Sequence, residues 1–218
     1  MAVTTNIIQR TFQILHNGKN ATAYAIEKGN SQYLVSASHV FDGSPCVDAL
    51  SIYHDKRWKD IRVDVAFNSD SKAADTIVFR LSRDVAPRHP ITFGPAGVIT
   101  GSWAYFLGFP RGMRTESGAI NNQYPLPFIK AALVSGIDFE RHGFCTFYLD
   151  GHLNKGFSGG PVVWAHPAKP KSLQLIGTIA GYEVEHPLSK ETKEEITQYE
   201  TNAGIIRAHW VKDLFSYI

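Results

Sequence analysis

The chain has 218 residues, 44% hydrophobic, 12% aromatic and 19% charged, with a formal net charge of +2, a composition that supports a folded core and excludes a disordered or fibrous chain. So slight a positive excess, without a Lys/Arg cluster interleaved with aromatics, excludes a phosphate-tracking surface for nucleic acid. No run of about 18 uncharged apolar residues marks a membrane span, the first residues lack a signal-peptide pattern, and Cys46 and Cys145 have no short-spaced partner for a metal or redox site, which together point to a reducing, cytoplasmic setting.

In chain order, β-branched and aromatic runs predict strands at 11–15, 21–27, 33–36, 47–53, 62–67 and 77–81, separated by turn signals such as Asn17-Gly18 and Gly29-Asn30. The Asn20-Ala21-Thr22 sequon reads as part of such a turn. Two prolines and mixed charges in Arg83-Asp84-Val85-Ala86-Pro87-Arg88-His89-Pro90 break the rhythm and predict a connection between halves. Strands resume at 103–108, 131–137, 146–150, 160–164 and 173–180, and the Lys-, Glu- and Thr-rich stretch 183–202 reads as a surface loop or short amphipathic helix. Ile206, Trp210, Leu214 and Tyr217 fall at helical spacing and predict a C-terminal α-helix. The pattern is that of an all-β protein, a sandwich or barrel.

Chemistry concentrates at Gly156-Phe157-Ser158-Gly159-Gly160-Pro161. Glycines around a serine allow a tight turn in which backbone N–H groups converge beside the hydroxyl, and Gly156 and Ser158 are the expected oxyanion donors. A serine hydroxyl needs a base to take its proton and an acid to orient that base. His39, where the strand Tyr33-Leu34-Val35-Ser36 gives way to a turn, fits best among the nine histidines. Asp75, just before the apolar run Thr76-Ile77-Val78-Phe79, is preferred to Asp64, which alternates as an outward strand residue, and to Asp70, which reads as a surface turn.

The order His, Asp, Ser in "VSASHV", "ADTIVFRL" and "GFSGGPVV" resembles the trypsin-like peptidases, most closely their bacterial branch, which includes the HtrA proteases. Phe106-Leu107-Gly108-Phe109-Pro110-Arg111-Gly112 and Ala132-Leu133-Val134-Ser135-Gly136 are similar to strands of that branch's second barrel, and the likeness spans roughly residues 20 to 182. It implies one peptidase domain over 1–218, with two antiparallel six-stranded Greek-key barrels (about 1–88 and 89–206), an active site in the cleft between them, and a helix over 207–218. It implies His39, Asp75 and Ser158 as a catalytic triad for a serine endopeptidase. It also implies a pocket with His152 and Leu153 on one wall, Ala180, Gly181 and Tyr182 on the other, and Gly204 on the far side.

No carboxylate stands at the pocket positions, which argues against a preference for Lys or Arg, and His152 is the expected donor to an acidic or amide side chain. A peptide or protein is the expected substrate and a regulatory protein arranging the oxyanion loop a further expected partner; no cofactor, metal, nucleic acid or membrane is expected. The alternatives are a catalytically silent protease-fold scaffold and a processing protease of viral type. The chain lacks the N-terminal cleavage motif and paired cysteines of secreted digestive members, so their zymogen activation is not expected. Trp58, Trp103, Trp164 and Trp210 read as core or rim residues, and Cys145 as a small buried hydrophobe.

Overall fold

Period-two apolar patterning places side chains on alternate faces of each strand, and strands apolar on both faces must be covered twice. The computed structural model describes residues 3–42, 47–69, 73–139, 143–166, 173–189, 192 and 201–218. A one-turn helix α1 (Thr5–Ile8) leads into β1 (Thr11–His16), β2 (Lys19–Lys28), β3 (Ser31–Ser36), β4 (Ala49–His54), β5 (Arg57–Asn68) and β6 (Ile77–Leu81). These close as an antiparallel barrel in the order β1-β2-β3-β6-β5-β4. There follow β7 (Thr92–Phe93), β8 (Trp103–Gly108), β9 (Phe128–Asp138), β10 (Phe144–Asp150), β11 (Pro161–Ala165), β12 (Leu173–Glu185), β13 (Thr201–Val211) and a terminal turn of helix, α2 (Leu214–Tyr217). The second barrel runs β11-β8-β9-β10-β13-β12 and is closed by pairing β11 with β12, while β7 adds to β12 in parallel outside the ring. Closure leaves neither barrel with an open edge.

Both faces of the strands between the barrels are apolar. On β2, Ala21, Ala23 and Ala25 fill the first barrel, whereas Tyr24 and Ile26 join Leu107, Val163 and Leu175 of the second half in a cluster between them. On β6, Ile77, Phe79 and Leu81 face inward and Val78 faces that interface. On β11, Val162 and Trp164 fill the second barrel and Val163 faces back. By contrast β5 alternates, with Val63 buried and Asp64 exposed, as an outward strand should. Polar ties cross the same interface: the Tyr24 and Thr178 hydroxyls lie 2.7 Å apart, and His209 Nδ1–H donates to the Ala74 carbonyl at 2.7 Å. Burial pushes the Tyr24 phenol well above its ordinary pKa, with the Thr178 hydrogen bond opposing, so it stays neutral.

The connection predicted at 83–90 joins β6 to β7 and is pinned to the first barrel. Gln32 Oε1 accepts from the amides of Val85 (2.7 Å) and Ala86 (3.0 Å), and Arg10 donates to the His89 carbonyl at 2.7 Å. Two expectations are corrected. The predicted loop over 183–202 is flanked by longer strands, β12 reaching Glu185 and β13 beginning at Thr201, and 190–191 and 193–200 lie outside the described residues. The predicted helix over 207–218 shrinks to α2, because Ile206 and Trp210 belong to β13. A spacing of four fits a strand as well as a helix; here Ile206 and Ala208 point into the barrel at strand spacing. Among the described residues no helix is long and apolar enough to cross a membrane.

Candidate active site

Antiparallel pairing of β3 with β6 sets Ser36 opposite Ile77, so the end of one strand meets the start of the other. The turn after Ser36 carries His39 and the residue pair before Ile77 carries Asp75, and the ladder therefore brings them together. His39 Nδ1 donates to Asp75 Oδ2 at 2.7 Å, and the His39 amide donates to Oδ1 at 2.9 Å. With both carboxylate oxygens engaged the imidazole is fixed in one tautomer, leaving Nε2 as the acceptor on its other edge. The Asp75 side chain is 5% exposed and that of His39 41%, an inner acid behind an accessible base. Asp75 holds φ +43°, a left-handed conformation uncommon outside glycine and tolerated best by Asn and Asp. It is held there by the Ser38 amide on its carbonyl (3.2 Å) and by His209 on the preceding carbonyl.

Ser158 sits in the turn that opens β11. Gly156 (φ +103°) and Gly159 (φ +81°) need glycine for conformation and for space: a Cβ would lie 2.3 Å from the Phe109 carbonyl oxygen and 2.2 Å from that of Thr22, respectively. The turn is tied to β2 by Thr22, whose amide donates to the Ser158 carbonyl (3.0 Å) and whose hydroxyl donates to the Gly156 carbonyl (2.7 Å). The Phe109 amide donates in turn to Thr22 Oγ1 at 3.2 Å. The Lys155 carbonyl accepts from the Arg111 amide at 2.6 Å. Because C=O and N–H point oppositely in a trans peptide, the Gly156 N–H is turned away from the Arg111 loop. Among the described residues neither the Gly156 nor the Ser158 amide meets an acceptor, so both donors are available to a ligand oxygen.

His39, Asp75 and Ser158 line one cleft of about 650 Å³, with Leu153, Ala180, Gly181 and Tyr182 along its walls. Among the described residues no hydrogen bond joins Ser158 to His39; such contacts often tighten only once substrate binds. His152 is exposed and outside the described lining of this cleft, and its backbone carbonyl takes the Lys130 ammonium. Gly204 is also outside, its carbonyl accepting from the Gly151 amide at 2.8 Å. The cleft adds Arg207, Asn154 and Val184, which the sequence reading did not single out. Asp64 is exposed on β5, while Asp70 and Cys46 lie outside the described residues. Among the described residues no group of three or more His, Cys, Asp or Glu side chains is arranged to hold a metal ion.

The family profile described as "Trypsin-like peptidase domain" matches residues 21–166. No curated protein matches the chain. Among solved structures, the inactive form of a serine-to-alanine mutant of Rv3671c from M. tuberculosis H37Rv superposes with a TM-score of 0.59 at 14% identity, covering 95% of this chain and 82% of that one. The HtrA-type protease AlgW with tripeptide gives 0.57 at 17% identity, covering 97% of this chain and 58% of its own. At such identities the likeness is one of fold, and the chain spans under two thirds of AlgW. With its profile match running from β2 through β11, across both barrels and the Ser158 turn, the chain belongs to the trypsin-like peptidase family.

Proposed function

We propose that the protein is a serine endopeptidase that hydrolyses peptide bonds through an acyl-enzyme. The observation that carries this reading is Asp75 gripping His39 through both carboxylate oxygens in the cleft that also holds the Ser158 turn. Ser158 Oγ attacks the scissile carbonyl carbon while His39 Nε2 takes its proton, and the carbonyl oxygen becomes an oxyanion between the Gly156 and Ser158 amides. The C–N bond then breaks as His39 returns that proton to the leaving amine. Water adds to the acyl ester with His39 again as base, and Ser158 leaves with the proton. Asp75 holds the tautomer and stabilises the imidazolium without accepting the proton.

The Arg111 amide on the Lys155 carbonyl and the Thr22 hydroxyl on the Gly156 carbonyl support an oxyanion loop assembled without a partner. A fluorophosphonate probe tests this: it is expected to label Ser158 in the purified protein and to label Ser158→Ala not at all. Absence of labelling in the wild type, with the fold intact by circular dichroism, overturns the reading in favour of a silent protease-fold scaffold.

A further inference from the structure

Arg207 stands on β13 directly opposite Gly181 of β12, and both line the cleft with Ser158. Because residue 181 has no side chain, its wall is open: the nearest heavy atom to a Cβ built there is Arg207 Nη2, 3.8 Å away. The guanidinium therefore lies against the backbone that flanks the cleft, where any larger residue at 181 would cover it. Among the described lining residues the cations are Lys19, Lys155 and Arg207, and the sole carboxylate is Asp75, already held by His39.

Lys19 is paired with Asp42 outside the cleft. Among the described residues Arg207 meets Glu183, at 3.2 Å from Nε; the geometry does not make a hydrogen bond, and among those residues that buried nitrogen has no hydrogen-bond partner. Glu183 offsets part of the charge but lies outside the lining, so the outer nitrogens of the guanidinium remain for a ligand.

We propose that Arg207 is the specificity-determining residue of this cleft and that it selects substrates with Asp or Glu before the scissile bond, an inference that rests on the serine-peptidase reading above. Leu153, Ala180 and Tyr182 line the same cleft and give an aliphatic stem apolar contact, and the planar guanidinium matches a carboxylate with two parallel N–H···O bonds. A Lys or Arg in the same place brings like charges together in a cleft whose described lining holds no free carboxylate. An uncharged side chain gains contact area but leaves the guanidinium donors unmatched.

The test uses peptidyl aryl phosphonates that differ only in the side chain next to phosphorus: Glu, Gln, Leu or Lys. Ser158 Oγ attacks phosphorus, His39 takes its proton and aryloxide leaves, so the rate of labelling reads recognition at the reacting centre. The wild type is expected to react about 10- to 100-fold faster with the Glu probe than with its Gln isostere, a range lowered for the partial exposure of Arg207. Arg207→Gln is expected to bring that ratio near one, and Arg207→Glu to move the preference to Lys. Equal wild-type rates with Glu and Gln overturn the proposal while leaving the peptidase reading intact, and this comparison needs no variant to fold. A Glu preference that survives in Arg207→Gln also overturns it. Failure of every phosphonate and of the fluorophosphonate overturns both readings together.

Discussion

The two walls of the cleft are held by different means. On the first-barrel side, hydrogen bonds to a side chain do the holding: both oxygens of Asp75 bind His39, backed by the Ser38 amide on the Asp75 carbonyl, by His209 on the Ala74 carbonyl and by the pairing of β3 with β6. On the second-barrel side the Ser158 turn is held, apart from the Thr22 hydroxyl on the Gly156 carbonyl, by backbone atoms and by missing side chains, with Gly156, Gly159 and Gly160 each pressed on a carbonyl oxygen of a neighbouring segment. The first wall can be disarmed by changing one atom and moving nothing. The second cannot be altered at its glycines without displacing main chain.

That contrast predicts two kinds of loss. Ser158→Ala should lower kcat for peptide hydrolysis by on the order of 10⁵-fold or more, the scale seen when a triad nucleophile is removed. Asp75→Asn, nearly isosteric, should lower kcat by about 10⁴-fold through the wrong imidazole tautomer, with the melting temperature moving far less than activity. A decline confined to KM would break the assignment of Asp75 as the orienting acid.

Gly156→Ala should lower kcat by about 10²- to 10³-fold, as expected for loss of one oxyanion donor, but here stability should fall as well. A Cβ 2.3 Å from the Phe109 carbonyl and 2.9 Å from the Arg111 amide forces the turn or the Arg111 loop to shift, and φ +103° is unfavourable for alanine. A variant with full thermal stability and lost activity would mean that the two walls do not differ in the way described.

Much of this asymmetry is visible before any coordinates. The Ser158 turn announces itself because glycines that avoid backbone collisions must appear in the sequence as glycines. Asp75 was favoured by its place before an apolar run, a weaker signal, and it takes the pairing of β3 with β6 to bring it to His39. Thr22 was hidden, since a threonine in a strand looks like any β-former; only a contact across 134 residues reveals its bond to Gly156. Arg207 was hidden for another reason: a spacing of four between Ile206 and Trp210 fits helix and strand alike, and reading it as helix moved Arg207 off the wall of the cleft. His152 stands outside the described lining of the cleft, since nearness in sequence to Ser158 says nothing of which way a loop residue faces.

Thr22 links the walls and so sharpens the comparison. Thr22→Val keeps the shape and removes the hydroxyl that donates to Gly156 and accepts from Phe109. It leaves a buried carbonyl and amide without their partner, at a cost of about 1–3 kcal/mol. Denaturant unfolding should show that loss, and Thr22→Ser should recover most of it. A Val variant as stable as the wild type would assign the Ser158 turn to its glycines alone.

The smallest effect concerns whether the two barrels open separately. Cys145 is fully buried on β10 inside the second barrel, and burial pushes its thiol up to about 11, with Lys212 opposing more weakly. Since the thiolate is the reactive form, a rise from 9.0 to about 11 lowers its fraction near neutral pH by about 100-fold, before steric exclusion is counted. Alkylation by iodoacetamide in a Cys46→Ser background should therefore await opening of the barrel. The sign for stability follows from the same shift: the unfolded thiol ionises at lower pH than the folded one, so this contribution is whole below about 9 and is lost as pH rises toward 11. The apolar cluster shared by β2, β8, β11 and β12 packs the barrels against each other, so they are expected to open as one cooperative unit and the opening free energy from alkylation should equal that of global unfolding. A lower value would show the second barrel opening alone, with the Ser158 wall leaving the His39 wall in place.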